Sequence, residues 1–136
     1  MINAVNNIEI LLVDDEKYIL EEVSEALSDE GFYVICADNV DEALRIYCSD
    51  SHKISVVITD LKMPGKSGIE LMISITNFDE ISGRHPVKII MMSGHAEIDK
   101  ELNQEGVPDC FLVKKPVDFE QLIDVIKQPL LIGSTK

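Results

Sequence analysis

Val56-Val57-Ile58-Thr59-Asp60-Leu61-Lys62-Met63-Pro64-Gly65 decides the architecture of this chain. A run of β-branched residues closes on a single carboxylate and then meets a Pro-Gly turn. Such a run, bounded by turn signals, fits a strand buried on both faces within a parallel sheet. Ligands of open parallel sheets sit just beyond the carboxyl ends of the strands. Asp60 falls at that end, so its chemistry depends on what the other strand ends bring to it.

Working outward, the same alternation of short apolar runs and helical periodicity recurs on both sides. Upstream, Glu9-Ile10-Leu11-Leu12-Val13 reads as a first strand ending in Asp14-Asp15-Glu16. From Lys17 to Glu30, Ile19, Val23, Ala26 and Leu27 share one helical face, and Gly31 supplies a stop. Tyr33 to Ala37 is a second strand. Asn39 and Glu42 have the spacing of a capping box, ahead of a helix from Val40 to about Cys48 that buries Val40, Ala43, Leu44 and Tyr47.

Downstream, Ser67 or Gly68 begins a helix carrying Ile69, Leu71, Met72 and Ile75. Val87 to Met92 is a fourth strand running into Ser93-Gly94-His95. Ala96 to Glu105 reads as a short polar helix with a weak apolar face, which implies mobility. Cys110 to Lys114 is a fifth strand, followed by Lys115-Pro116. Asp118 and Gln121 repeat the capping-box spacing before a helix with Phe119, Leu122, Ile123 and Ile126 on its inner face, which Pro129 is expected to end or kink. Five strand–helix units joined by right-handed crossovers make an α/β doubly wound sandwich with one parallel sheet.

The 136 residues suit a single domain spanning 1–136, with its core over about 8–128. A frayed tail is expected over Ile132–Lys136. The formal net charge of −13 disfavours direct binding to nucleic acid, which requires cations against phosphate. No apolar run is long enough to cross a membrane, and Met1 to Asn7 has no basic segment followed by a signal core. Cys36, Cys48 and Cys110 are odd in number and widely spaced. They read as small buried apolar residues of a cytoplasmic, reducing compartment rather than a disulfide or zinc framework. His52, His85 and His95 show no metal-ligand spacing.

The strand ends carry the chemistry. The first gives Asp14 and Asp15, the third Asp60, the fourth Ser93, and the fifth Lys115 or Lys114. In a parallel sheet all of them meet at one edge. Three carboxylates a few ångströms apart need a cation or a retained proton at neutral pH. An all-oxygen site suits Mg²⁺, which shares its shell with water and phosphate. A lysine and a serine hydroxyl supply a charge and a hydrogen bond to phosphoryl oxygens. Taken singly, each residue is more often a cap, a turn residue or a surface charge. Their joint occurrence at four strand ends points to a carboxylate that receives a phosphoryl group.

These residues resemble the receiver domain of two-component response regulators, a CheY-like family. The resemblance runs from about Ile8 to Lys127. It is carried by Val13-Asp14-Asp15-Glu16, by Asp60-Leu61-Lys62-Met63-Pro64-Gly65 with Gly68, by Ser93-Gly94-His95 and by Lys115-Pro116. It implies a flavodoxin-like (βα)5 fold with strand order 2-1-3-4-5. It implies that Asp60 takes a phosphoryl group from a sensor histidine kinase or phosphotransfer protein. Asp14 and Asp15, with Asp60 and the backbone carbonyl of Lys62, would hold Mg²⁺. Ser93 and Lys115 would contact phosphoryl oxygens, and the domain would catalyse only its own phosphorylation and dephosphorylation.

The resemblance further implies a switch in which Ser93 and an aromatic residue of the fifth strand move. A face built from the fourth helix, fifth strand and fifth helix would then engage a downstream effector, an output domain or a second phosphorylated copy. Phe111 is the candidate aromatic. It stands three residues before Lys114 and four before Lys115, whereas the family spacing is three; Lys115 is favoured because the family lysine directly precedes a proline, and a bulge would reconcile the two. Lys62 and His95 fall where family side chains tune phosphoryl lifetime, so an altered hydrolysis rate is expected. A haloacid-dehalogenase-like phosphatase would need an acid two residues after Asp60, where Lys62 stands. A degenerate, unphosphorylated receiver would lack one of the signature residues, and none is missing.

Overall fold

The structure, a computed structural model, describes residues 8–49, 53–84, 86–94 and 105–129. The segments Met1–Asn7 and Ile132–Lys136, the three histidines and most of the helix expected over Ala96–Glu105 lie outside the described residues. Along the rest run β1 (Glu9–Val13), α1 (Lys17–Asp29), β2 (Tyr33–Ala37), α2 (Val40–Tyr47) and β3 (Ile54–Asp60). They are followed by α3 (Gly68–Ser82), β4 (Lys88–Ser93), β5 (Phe111–Lys114) and α4 (Phe119–Lys127).

The five strands form one sheet in the order β2-β1-β3-β4-β5, and every neighbouring pair is parallel. The expected flavodoxin-like sandwich is therefore present. Alternation along each strand divides the core into two layers. Ile10, Leu12, Val56, Ile58, Ile90 and Met92 pack with Val23 and Leu27 of α1 and Leu122 and Ile126 of α4. Leu11, Val13, Val57, Ile89 and Met91 pack with Ala43 and Ile46 of α2 and Leu71, Met72 and Ile75 of α3. All six residues of β4 are buried, as befits a strand covered on both faces.

The helix starts follow from their caps. The side chains of Asn39 and Asp118 accept hydrogen bonds from the N–H groups of Glu42 (2.8 Å) and Gln121 (3.2 Å). The reciprocal capping box is at Ser67: its Oγ accepts from the Glu70 N–H at 3.3 Å, and the Glu70 carboxylate accepts from the Ser67 N–H at 2.8 Å. That second bond fixes where α3 begins, with Gly68 as its first residue. Gly83, at φ 73°, ends the helix in the left-handed conformation.

The cysteine expectation is corrected. Cys36 and Cys48 are exposed and Cys110 is half-buried. Cys36 lies on β2, an edge strand whose outward positions, Tyr33 among them, are left open. Cys48 follows the last turn of α2, past the point where that helix packs. Among the described residues no helix is long and apolar enough to cross a membrane.

Candidate functional site

Register brings the strand ends to one edge. Val13 pairs with Thr59 in the β1–β3 ladder, so Asp14 and Asp60 lie side by side just beyond it. Asp60 pairs with Met92, and Ser93 with Lys114, which sets Ser93 and Lys115 beside them on the other flank. The backbone ties these ends together: the N–H of Asp14 donates to the Ala37 carbonyl at 3.2 Å, and that of Lys115 to the Ser93 carbonyl at 2.7 Å. The Lys115–Pro116 peptide is cis.

Oxygens of Asp14, Asp15 and Asp60 lie within 4.8 Å of one another. Asp14 and Asp60 are buried and Asp15 is exposed, so the cluster has a closed floor and an open mouth. Both oxygens of Asp14 are engaged. One accepts the N–H of Glu16 at 2.9 Å and the other the Lys115 ammonium at 3.1 Å. Lys115 Nζ also lies 3.3 Å from Asp60 Oδ1 and 3.9 Å from Glu16 Oε1. One ammonium thus bridges the two buried carboxylates.

The electrostatics follow from that geometry. Burial pushes the Asp60 carboxyl above its ordinary value, and the negative charges of Asp14 and Asp15 add to this against the pull of Lys115. Burial would lower Lys115, but its hydrogen bond to Asp14 and the charges of Asp60 and Asp14 outweigh it, and its pKa is raised. Asp60 is therefore a carboxylate whose charge is under-compensated and which an added cation would stabilise. A hard divalent ion fits this all-oxygen donor set.

Lys115, and not Lys114, is the lysine at the site: Lys114 is the last paired residue of β5 and is exposed. Ser93 is buried at the end of β4. Lys62 is exposed in the loop after β3. Phe111 is not brought to the site. The β4–β5 register runs from Ile90–Phe111 to Ser93–Lys114 without a bulge, so neighbouring β5 side chains face opposite layers. Phe111 packs in the layer of α1 and α4, under the Lys88 ammonium, which is 5.3 Å from its ring centroid. The residue three before Lys115 is Leu112, in the layer of α2 and α3. Among neighbours the sequence reading missed, the buried Thr59 hydroxyl donates to the Asp60 carbonyl at 3.0 Å. A polar residue inside an apolar strand was the available signal.

The family model of the response regulator receiver domain matches residues 10–127. The chain belongs to that family. It is 28% identical over 128 residues to sporulation initiation phosphotransferase F of Bacillus subtilis, covering 94% of this chain and 98% of that protein. It is 30% identical over 122 residues to the transcriptional regulatory protein AruR of Pseudomonas aeruginosa, covering 87% of this chain but 47% of AruR. The chain thus spans less than half the length of one of these relatives and nearly all of the other. Among solved structures, a response regulator receiver domain protein of Clostridium thermocellum is 32% identical, with a TM-score of 0.74 over 88% of this chain and 90% of that one.

Proposed function

We propose that the chain is a cytoplasmic phosphorelay receiver in which Asp60 accepts a phosphoryl group from a histidine kinase or a phosphotransfer protein. The observation that carries this reading is the cluster of Asp14, Asp15 and Asp60 with Lys115 bridging its buried pair. An Asp60 carboxylate oxygen bonds to phosphorus as the phosphorus–nitrogen bond of the donor phosphohistidine breaks, and the departing imidazole keeps the electron pair. Such a transfer depends on positioning and on neutralising charge around the phosphoryl oxygens.

Asp14, Asp15 and Asp60, with the Lys62 carbonyl, are the groups that would hold Mg²⁺, which when bound supplies positive charge to the transferring phosphoryl group. Lys115 orients the phosphoryl oxygens from the opposite flank, and the Ser93 hydroxyl donates to one of them. Drawing these groups inward biases the end of β4 and β5, and the altered face serves a downstream effector, an output domain or a second phosphorylated copy. Lys62, two residues after Asp60 and exposed in the loop after β3, stands where receiver side chains tune the phosphoryl lifetime, and Lys62→Asn is expected to change the dephosphorylation rate.

Incubation with acetyl phosphate, with and without Mg²⁺, followed by intact-mass spectrometry, tests the reading. One added phosphoryl group that requires Mg²⁺ and is lost in Asp60→Asn is expected. No adduct in the presence of Mg²⁺, together with no binding of beryllofluoride, would overturn it.

A further inference from the structure

The phosphoacceptor carboxylate is only as well placed as the peptide that carries it, and that peptide is held from three directions. The Thr59 hydroxyl donates to the Asp60 carbonyl at 3.0 Å. The next N–H, that of Leu61, donates to the Met92 carbonyl of β4 at 3.1 Å, and the Leu61 carbonyl accepts from the Gly68 N–H at 2.9 Å. Gly68, the first residue of α3, is buried directly against the Asp60 carbonyl.

A side chain has no room at position 68. A Cβ there would collide with the Asp60 carbonyl oxygen and stand 3.2 Å from its carbonyl carbon and 2.9 Å from Met91 Sδ. The methionine can swing aside. The carbonyl cannot, because it belongs to a hydrogen-bonded strand end. At Gly65, Gly83 and Gly106 the positive φ is the reason for glycine, and an added Cβ would meet nothing within 4 Å. Gly68 is needed for closeness instead: it lets the start of α3 press on the peptide of Asp60.

We propose that Gly68 and the Thr59 hydroxyl together form a seat for the Asp60 peptide, and that Gly68 is a positioning residue for phosphoryl transfer. This rests on the reading of Asp60 as the phosphoacceptor. A displacement of about 1 Å at a reacting group costs on the order of a hundredfold in rate. The effect is therefore on transfer to Asp60, beyond any effect on stability.

The test compares wild type, Gly68→Ala, Thr59→Val and Gly68→Ala/Met91→Val. Each is assayed for phosphorylation by acetyl phosphate and for beryllofluoride affinity at saturating Mg²⁺, at a temperature where circular dichroism shows it fully folded. A purely structural role would lower the melting temperature and leave the affinity of the folded protein unchanged. Gly68→Ala is expected to lose about a hundredfold in rate and at least tenfold in beryllofluoride affinity. Thr59→Val should lose several-fold in rate, and trimming Met91 should restore neither quantity. A folded Gly68→Ala within threefold of wild type overturns the proposal. Recovery in the double variant also overturns it, by placing the fault in the methionine contact. If Gly68→Ala does not fold, Thr59→Val decides, and an unchanged rate and affinity overturn the seat. A wild-type protein that takes no phosphoryl group and binds no beryllofluoride sinks the underlying reading instead, which separates the two failures.

Discussion

Lys115 Nζ stands 3.3 Å from Asp60 Oδ1 while it donates to Asp14 Oδ2 at 3.1 Å. A single cation therefore holds the charge that a divalent ion would otherwise balance. The two compete for the same carboxylates, and each weakens the other's hold. Lys115→Met is expected to bind Mg²⁺ several-fold more tightly, because the ion no longer displaces an ammonium from its ligands. Without the ion the same variant should lose about 2 kcal/mol of stability, since two buried carboxylates are left unpaired. Calorimetric titration and thermal melts in a chelator check both. Unchanged Mg²⁺ affinity would show that Lys115 and the ion do not compete.

Asp60→Asn is expected to stabilise the metal-free protein at neutral pH. Burial holds the folded-state pKa of Asp60 above its unfolded value, with Asp14 and Asp15 adding to the shift. Between those two values the folded state binds more protons than the unfolded one, so stability falls as pH rises through that window. The cost is fully present above the folded pKa and absent below the unfolded carboxylate value of about 3.9. The asparagine variant never carries the charge. Its advantage should be present at pH 7 and should shrink toward zero as pH falls to about 4. Melts of both proteins across that range in a chelator check it. A gain independent of pH would assign the effect to something other than ionisation.

The Asp14-Asp15, Asp60 and Lys115-Pro116 positions were legible because charge punctuates apolar runs at strand ends, and a parallel sheet sends all those ends to one edge. Lys115 was favoured over Lys114 by the proline that follows it, and the ladder agrees, keeping Lys114 as the last paired residue of β5. The same ladder places Phe111 in the layer of α1 and α4, a matter of one residue of register that spacing from the lysine left open. Cys36 reads as core because local apolarity does not say which strand is at the edge of a sheet. Gly68 was legible as a motif residue and Thr59 as a polar residue in an apolar strand, but what each does lies in its contact with the Asp60 carbonyl, which the sequence pattern does not encode.

A second buried network lies away from the carboxylate cluster. Tyr47, fully buried, donates its hydroxyl to both oxygens of Asp79, at 2.8 and 3.0 Å, joining α2 to α3. The Arg84 guanidinium covers the same ring at 4.8 Å from its centroid and donates to the Tyr47 carbonyl at 2.9 Å. Burial pushes Asp79 up, and the tyrosine hydroxyl and Arg84 pull it back. Tyr47→Phe keeps the packing but removes the hydroxyl donor, so a buried carboxylate keeps the Val87 N–H but loses its side-chain partner. A loss of about 1–3 kcal/mol is expected in chemical denaturation, with phosphorylation of the folded protein unchanged. A variant as stable as wild type would mean that the Val87 N–H, Arg84 and water satisfy Asp79 without the hydroxyl.

Lys88 ties the sheet to the end of α4. This lysine opens β4 and is buried, yet no carboxylate is among the causes that shift its pKa; burial alone lowers it. Its ammonium donates to the carbonyls of Val125 at 2.7 Å and Ile126 at 3.0 Å, and to that of Gln128, while lying over the Phe111 ring. Those carbonyls lie at the end of α4, where the helix dipole is negative and acceptors outnumber intrahelical donors. The lysine therefore acts as a cap supplied from the sheet, and it fastens α4 to β4 and β5. Lys88→Met keeps the length of the side chain and removes the donors. It should cost about 1–2 kcal/mol and speed amide exchange selectively in the last turn of α4, ahead of β1 and β3. Exchange that quickens equally in every element would show that the lysine supports the core as a whole and not the end of that helix.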